Sequence, residues 1–298
     1  MSHTSFRGII AYPVTPFGQD GAPDIPMLER LVDRLVTQGS HAIAPLGSTG
    51  ESAYLSDDEW DEVAEHSIRQ VAKRVPVVIG ISDLTTRSAM RRARFAEAAG
   101  ADAVMVLPLA YWKLSEAEIF AHYAAIADAT TLPVMVYNNP ATSGVDMSPE
   151  LIVKLASEID NVTMVKESSG DIQRMHRIAQ LSDGQLPFYN GSNPLAFEAF
   201  AAGATGWCTA APNLIADYTL QLYEHCAAGN LRKAREIFFA QLPILQFILK
   251  GGLPTTIKAG LRSLGFEAGD PRAPLQPLGR AGCRDLQMML EQLTRRPM

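Results

Sequence analysis

The sequence predicts an α/β protein, a (β/α)8 TIM barrel with a C-terminal helical extension. Eight short apolar runs alternate with amphipathic stretches at intervals of roughly 17–35 residues, the spacing of strand–helix units around such a barrel. Seven of the runs are rich in β-branched or aromatic residues, or are bracketed by Pro, Gly or Asp, as buried parallel strands are. After the eighth unit the strands stop and only helical periodicity continues. A doubly wound parallel sheet has the same local signature, but the first run does not end in the glycine-rich phosphate turn of that fold.

The first run, residues 8–12, leads to Asp24 as the cap of a helix reading IPMLERLVDRLVTQG, which Gly39 stops. The second, 42–46, runs into Gly47-Ser48-Thr49-Gly50-Glu51, and Ser56-Asp57-Asp58-Glu59 then opens a helix as a capping box. The third is 77–81. The fourth, 103–107, reads AVMVL and could pass for a helix turn, but Gly100 and Pro108 bracket it. Ser115-Glu116-Ala117-Glu118 repeats the capping box. The fifth run, 134–137, precedes Ser148-Pro149-Glu150, which puts proline at a first helical position. The last three runs are 163–165, 188–189 and 206–208. Residues 230–250, 254–264 and 280–293 read as helices with no strand between them. The barrel is therefore assigned to residues 1–228 and the helical segment to 229–298, joined near Ala228-Gly229-Asn230.

Composition excludes several function classes. With 298 residues, 47% hydrophobic and 19% charged, the chain can bury a large core. A net charge of −6 argues against a nucleic-acid binder, which needs a basic face. Cys208, Cys226 and Cys283 lie far apart with no CxxC pair, so neither a disulfide framework nor a zinc cluster is expected. The six histidines are scattered, none at ligand spacing, and no metal is expected. The opening MSHTSFRG lacks a signal pattern, and every apolar stretch breaks before 18 residues. A cytoplasmic protein with no membrane role is the expectation.

In such barrels the active site lies at the C-terminal ends of the strands, so polar residues directly after an apolar run are the candidates. Of seven lysines, Lys166 alone ends a strand. Partial desolvation at a barrel mouth makes a lysine a usable amine nucleophile; the alternative is a rim pair with Glu167. Tyr137 ends the neighbouring run, where its hydroxyl could pass protons or its ring could simply fill the barrel top. Ser48 and Thr49, set between glycines, offer hydroxyls and backbone N–H groups as a nest for a carboxylate, or form a plain tight turn.

Taken together, GSTGE, YNNP and VKESSGD, in this order and at barrel spacing, resemble the dihydrodipicolinate synthase / N-acetylneuraminate lyase family over essentially the whole chain. The resemblance implies class I chemistry, in which a lysine forms a Schiff base with pyruvate or another 2-oxo acid and no metal or organic cofactor takes part. It makes Lys166 the Schiff-base lysine and Tyr137 the proton relay. Thr49 would link Tyr137 to a second tyrosine from a neighbouring subunit, for which Tyr111 is the candidate. Ser48 and Thr49 would hold the 2-oxo acid's carboxylate, and the backbones of Gly191 and Cys208 would lie near the substrate. Thr142, Ser143, Ser168 and Asn193 would line the specificity side. The family habit implies a homo-oligomer built as a dimer of dimers.

The departures concern the second substrate. The lysine-pathway synthase has an arginine five residues after the catalytic tyrosine, where this chain has Thr142, which supplies no charge and no bidentate fork. Sialate lyases carry an acidic pair after the strand-seven glycine, and here Gly191 is followed by Ser192-Asn193-Pro194. The histidines expected for lysine feedback are replaced around Asp57 and Trp60. The expected function is thus a Schiff-base lyase or synthase acting on a 2-oxo acid, its aldehyde or sugar-acid partner unassigned. The alternatives are 4-hydroxy-tetrahydrodipicolinate synthase and a catalytically silent 2-oxo-acid-binding relative.

Overall fold

A computed structural model of the chain describes residues 6–295. Its strands are β1 (Gly8–Ala11), β2 (Ala42–Ile43), β3 (Val78–Gly80), β4 (Ala103–Val106), β5 (Val134–Asn138), β6 (Val162–Glu167), β7 (Phe188–Asn190) and β8 (Gly206–Thr209). All pair in parallel, in the order β2-β1-β8-β7-β6-β5-β4-β3. The two end strands meet through an Ile43–Val77 bridge, and Gly80 N donates to the Pro45 carbonyl at 3.1 Å. The sheet thereby closes into the (β/α)8 barrel that the strand–helix spacing predicts.

Helices α1 (Ile25–Thr37), α2 (Asp57–Val71), α3 (Thr86–Ala99), α4 (Glu116–Asp128), the short α5 (Pro140–Ser143), α6 (Pro149–Glu158), α7 (Ile172–Leu181), α8 (Ala196–Ala201) and α9 (Pro212–Ala227) follow the strands. Their starts are set by local chemistry. Asp24 accepts from Met27 N, and Ser148 accepts from Leu151 N with Pro149 beside it. Reciprocal capping boxes form at Ser56/Glu59 and Ser115/Glu118.

Alternation along each strand sorts the core into two layers. Ala103, Met105 and Leu107 belong with the barrel-interior cluster, which includes Ile10, Tyr12, Val78, Met135 and Met164. Val104 and Val106 belong with the layer between sheet and helices, where Trp60, Val63 and Ala93 pack. Trp60 is fully buried and donates its Nε1–H to the Gly80 carbonyl at 3.3 Å.

The strands differ from the expected spans by a residue or two at their ends, and two of them, β2 and β6, by three. β2 ends at Ile43 instead of residue 46, because Pro45 has no N–H to continue the ladder and Leu46 turns into the left-handed region at φ 60°. β6 continues through Glu167, two residues beyond the apolar run, because alternation sends Lys166 and Glu167 to opposite faces, each with its own surroundings.

Beyond the barrel come α10 (Leu231–Gly251), α11 (Leu253–Ser263) and α12 (Arg280–Thr294). They share a core with α9 through Tyr218, Leu222, Ile237, Leu245 and Leu286. The connection between α11 and α12 returns to the barrel. Phe17 N donates to the Ala268 carbonyl at 3.1 Å, and Gly269, at φ 72°, sits so close to the Phe17 backbone that a Cβ there would lie 2.2 Å from its carbonyl oxygen. This return brings Lys258 and Arg272 against the turn after β2.

Candidate active site

Lys166 and Tyr137 are register partners on β6 and β5. Both point into the barrel mouth and are buried, Lys166 with 5% of its surface exposed. The Lys166 Nζ lies 3.7 Å from the centroid of the Tyr137 ring and 4.0 Å from that of Tyr12. An amine against two aromatic faces is held in one place and shielded from water. Burial pushes the Tyr137 phenol up, but Lys166, Asn139 and Ser48 outweigh it, and the phenol lies below the usual tyrosine value. Asn139 Nδ2 donates to the Tyr137 hydroxyl at 2.8 Å.

The neighbouring register pair, Asn138 and Glu167, faces the other way. Glu167 is fully buried and accepts from Asn138 Nδ2 at 3.1 Å and Ser169 N at 2.6 Å, with Arg174 Nε at 3.4 Å. The rim pair between Lys166 and Glu167 is therefore not what forms. Glu167 is tied to the helix side of the barrel, where it clamps the strand end that presents Lys166.

The turn carrying Ser48 and Thr49 is fixed from behind. Thr15 Oγ1 donates to the Gly50 carbonyl at 2.6 Å. Glu51, in the left-handed region at φ 56°, turns its carboxylate away from the strands and into the C-terminal segment. There it lies 2.7 Å from Lys258 Nζ and accepts from Arg272 N at 2.7 Å. Lys258 and Glu51 are 1% and 0% exposed, a fully buried ion pair. Burial lowers the Lys258 ammonium below the usual lysine range, against the pull of Glu51.

Across the mouth, the sequence-predicted residues divide. A Cβ on Gly191 would fall 1.7 Å from Ser168 Oγ and 2.9 Å from Lys166 Cε, so a larger residue there must displace both side chains. The Ser168 Oγ is buried and has no hydrogen-bond partner. Cys208 is buried beneath Lys166 and Tyr12, and burial pushes its thiol up. Asn193 accepts from Thr209 Oγ1 at 2.8 Å, and the Ser143 hydroxyl is used within its own turn by Asn139, Val145 and the Val145 N–H. Thr142 is exposed on α5, and Thr49 is buried next to Ser48. Tyr111 is 94% exposed on the loop before α4, outside the cluster around Lys166 in its own chain.

A cavity of about 270 Å3 opens beside Tyr137 and Ser48, and Thr142 lies on its wall. A larger one, about 600 Å3, sits between α6 and α7 near the start of β6 and contains none of these residues. Among the described residues no group of three or more His, Cys, Asp or Glu could hold a metal ion, and no helix is long and apolar enough to cross a membrane.

Strand-end reasoning missed Tyr12, although it is the last residue of the first apolar run and follows the same rule as Tyr137. It also missed Asn139, in the YNNP motif, and the Glu51–Lys258 pair. The signal for Lys258 was its place between Ile257 and Leu261 on the apolar face of PTTIKAGL, where a charge needs a partner.

A family model described as the dihydrodipicolinate synthetase family matches residues 5–293. The chain is 35% identical over 288 residues to 4-hydroxy-tetrahydrodipicolinate synthase 2 of Halalkalibacterium halodurans, covering 97% of this chain and 98% of that protein. A crystal structure of a candidate dihydrodipicolinate synthetase from Pseudomonas aeruginosa superposes with a TM-score of 0.96 at 60% identity, over 97% of this chain and 100% of that one. The chloride-inhibited dihydrodipicolinate synthase from Acinetobacter baumannii, complexed with pyruvate, superposes with a TM-score of 0.93 at 29% identity, over 97% and 99% of the two chains.

Proposed function

Because the chain belongs to the dihydrodipicolinate synthetase family, whose members are class I, Schiff-base-forming lyases and synthases, we propose that it joins or cleaves 2-oxo acids through an imine on Lys166. The observation that carries this reading is the Lys166 amine, buried at the barrel mouth between the Tyr12 and Tyr137 rings.

The neutral amine adds to the keto carbon of pyruvate, and loss of water gives an iminium. The iminium is an electron sink, so the adjacent methyl carbon gives up a proton and becomes an enamine. That carbon attacks an aldehyde carbon, a C–C bond forms, and the aldehyde oxygen takes up a proton. Water then hydrolyses the imine, freeing a 4-hydroxy-2-oxo acid and the lysine. Cleavage is the same sequence reversed, and neither direction requires a metal or organic cofactor.

Tyr137 moves the protons. Its lowered phenol and its Asn139 hydrogen bond suit an acid–base group beside a cationic nitrogen. Ser48 and Thr49 hold the carboxylate, and Gly191 and Cys208 flank the bound substrate. Ser143, Ser168 and Asn193 stand on the acceptor side with Thr142. Tyr111 completes the relay in the site of a neighbouring subunit, which makes the working form a cytoplasmic homo-oligomer. The exposure of Tyr111 favours this placement.

The test is exchange of the pyruvate methyl protons in D2O, followed by NMR. Enamine formation predicts deuterium incorporation that Lys166→Ala abolishes. Exchange at the same rate in that variant would overturn the proposal. Tight pyruvate binding without exchange would favour the silent 2-oxo-acid binder instead.

A further inference from the structure

The cavity beside Tyr137 is built from two kinds of wall. One contains Ser48 and Tyr137, whose ring lies 3.7 Å from the Lys166 Nζ. The other is made by Leu107 and Leu109 after β4 and by Leu253, Pro254 and Leu275 from the C-terminal segment, with the small neutral side chains of Ser52 and Ser82 beside them. A site for a second carboxylate needs a cation or several N–H donors in that outer wall, because a buried unpaired charge is strongly disfavoured.

Among the described residues that line the cavity there is no cation. The one charged side chain on the wall is Glu51, already neutralised by Lys258. Behind Ser82, Arg92 gives its guanidinium to the Ser82 carbonyl at 2.7 Å, Asp83 at 3.2 Å and Asp57 at 3.5 Å. Arg272 is bound through both terminal nitrogens to Glu59, at 2.7 and 2.8 Å. Thr142 contributes a neutral hydroxyl. The volume, about 270 Å3, is just below the ~300–1,000 Å3 of pockets for drug-sized ligands, and suits a small acceptor.

We infer that the second substrate is a neutral aldehyde with an apolar substituent, bound against the Leu107–Leu109 and Leu253–Leu275 walls, and not an aldehyde bearing a carboxylate. This rests on the Schiff-base reading of Lys166. The apolar substituent gains from leaving water, whereas a carboxylate there would lose its hydration and meet no cation. The product is correspondingly a 4-hydroxy-2-oxo acid with one carboxylate, the one contributed by pyruvate.

The test uses the protein itself and size-matched aldehyde pairs in which an isopropyl group replaces the carboxylate, 4-methylpentanal against succinic semialdehyde and 4-isopropylbenzaldehyde against 4-formylbenzoate. Deuterium exchange into pyruvate is recorded first on the same preparation. Pyruvate consumption is then measured with each aldehyde in quenched samples. The expected result is exchange, with kcat/KM at least tenfold higher for the neutral member of each pair. Exchange with equal or better use of the carboxylated members overturns the inference while leaving the Schiff-base reading intact. Exchange without turnover of either neutral aldehyde does the same. Absence of exchange overturns the Schiff-base reading and this inference with it.

Discussion

Replacing Lys258 with methionine strands a carboxylate in the fold's interior. The side chains are close in length, so little cavity is created, and the change isolates the charge. Wild-type Lys258 Nζ lies 2.7 Å from Glu51 and 3.1 Å from the Asp270 carbonyl, with its ammonium 4.0 Å from the Phe17 ring centroid. Removing one partner of such a buried pair costs ~3–5 kcal/mol, mostly the penalty of the charge left behind. At about 2–4 °C per kcal/mol for a large domain, this corresponds to a fall in Tm of roughly 6–20 °C, read by circular dichroism at pH 7.5. The double variant Lys258→Met/Glu51→Gln removes the stranded charge but keeps an acceptor for the Arg272 N–H, and is expected to regain about half of the loss. Because Glu51 closes the turn that carries Ser48 and Thr49, KM for pyruvate is expected to rise in Lys258→Met more than kcat falls. A Tm within 2 °C of wild type, or a double variant no better than the single one, would show that no charge is stranded.

Three further outcomes are expected. Tyr137→Phe keeps the ring beside Lys166 but loses the proton relay, so the exchange rate into pyruvate should fall about 10²–10⁴-fold while the protein remains folded; a change under threefold would remove Tyr137 from that role. Gly191→Ala drives a methyl into Ser168 and Lys166 and should cut turnover more than tenfold. Ser168→Gly in the same chain should restore part of it, and no restoration would locate the damage elsewhere. Glu59 is held at a pKa of about 2, first by its hydrogen bond to Arg272, so its contribution is present above the unfolded value of about 4.3 and is lost as pH falls toward 2. Because solvent screens this partly exposed pair, wild type should exceed Glu59→Gln by ~1 kcal/mol in urea unfolding at pH 6, the gap shrinking below pH 4. A gap unchanged at pH 2.5 would contradict this.

Much of the fold was legible because barrel strands are buried on both faces and punctuated by Gly, Pro and capping residues. Ser56 and Glu59, or Ser148 and Pro149, announce their helices within four residues of sequence. Strand ends were harder. Pro45 and Leu46 continue an apolar run yet leave the sheet, whereas Lys166 and Glu167 are charged yet remain in it. Hydrophobicity reports transfer from water, and these four residues are placed by hydrogen-bond geometry and specific partners instead. The reading of Lys166 as a possible partner of Glu167 failed for a related reason. Adjacent residues in a strand point apart, and Glu167 had Arg174, seven positions on, to bind. The support of the Ser48 turn was out of reach, because it depends on Lys258 and Arg272, which lie more than 200 residues along the chain. Thr142 marked the missing arginine at once, but the apolar wall of the cavity beside Tyr137 needed Leu253 and Leu275 brought beside Leu107.

The proposed reaction places a covalent bond on one lysine among seven. Borohydride reduction in the presence of pyruvate, with intact mass and peptide mapping, tests it most directly. An imine at this position gives a single reduced pyruvyl adduct on Lys166, absent from Lys166→Ala. An adduct confined to another lysine, Lys258 included, or no adduct with pyruvate and longer 2-oxo acids, would contradict it.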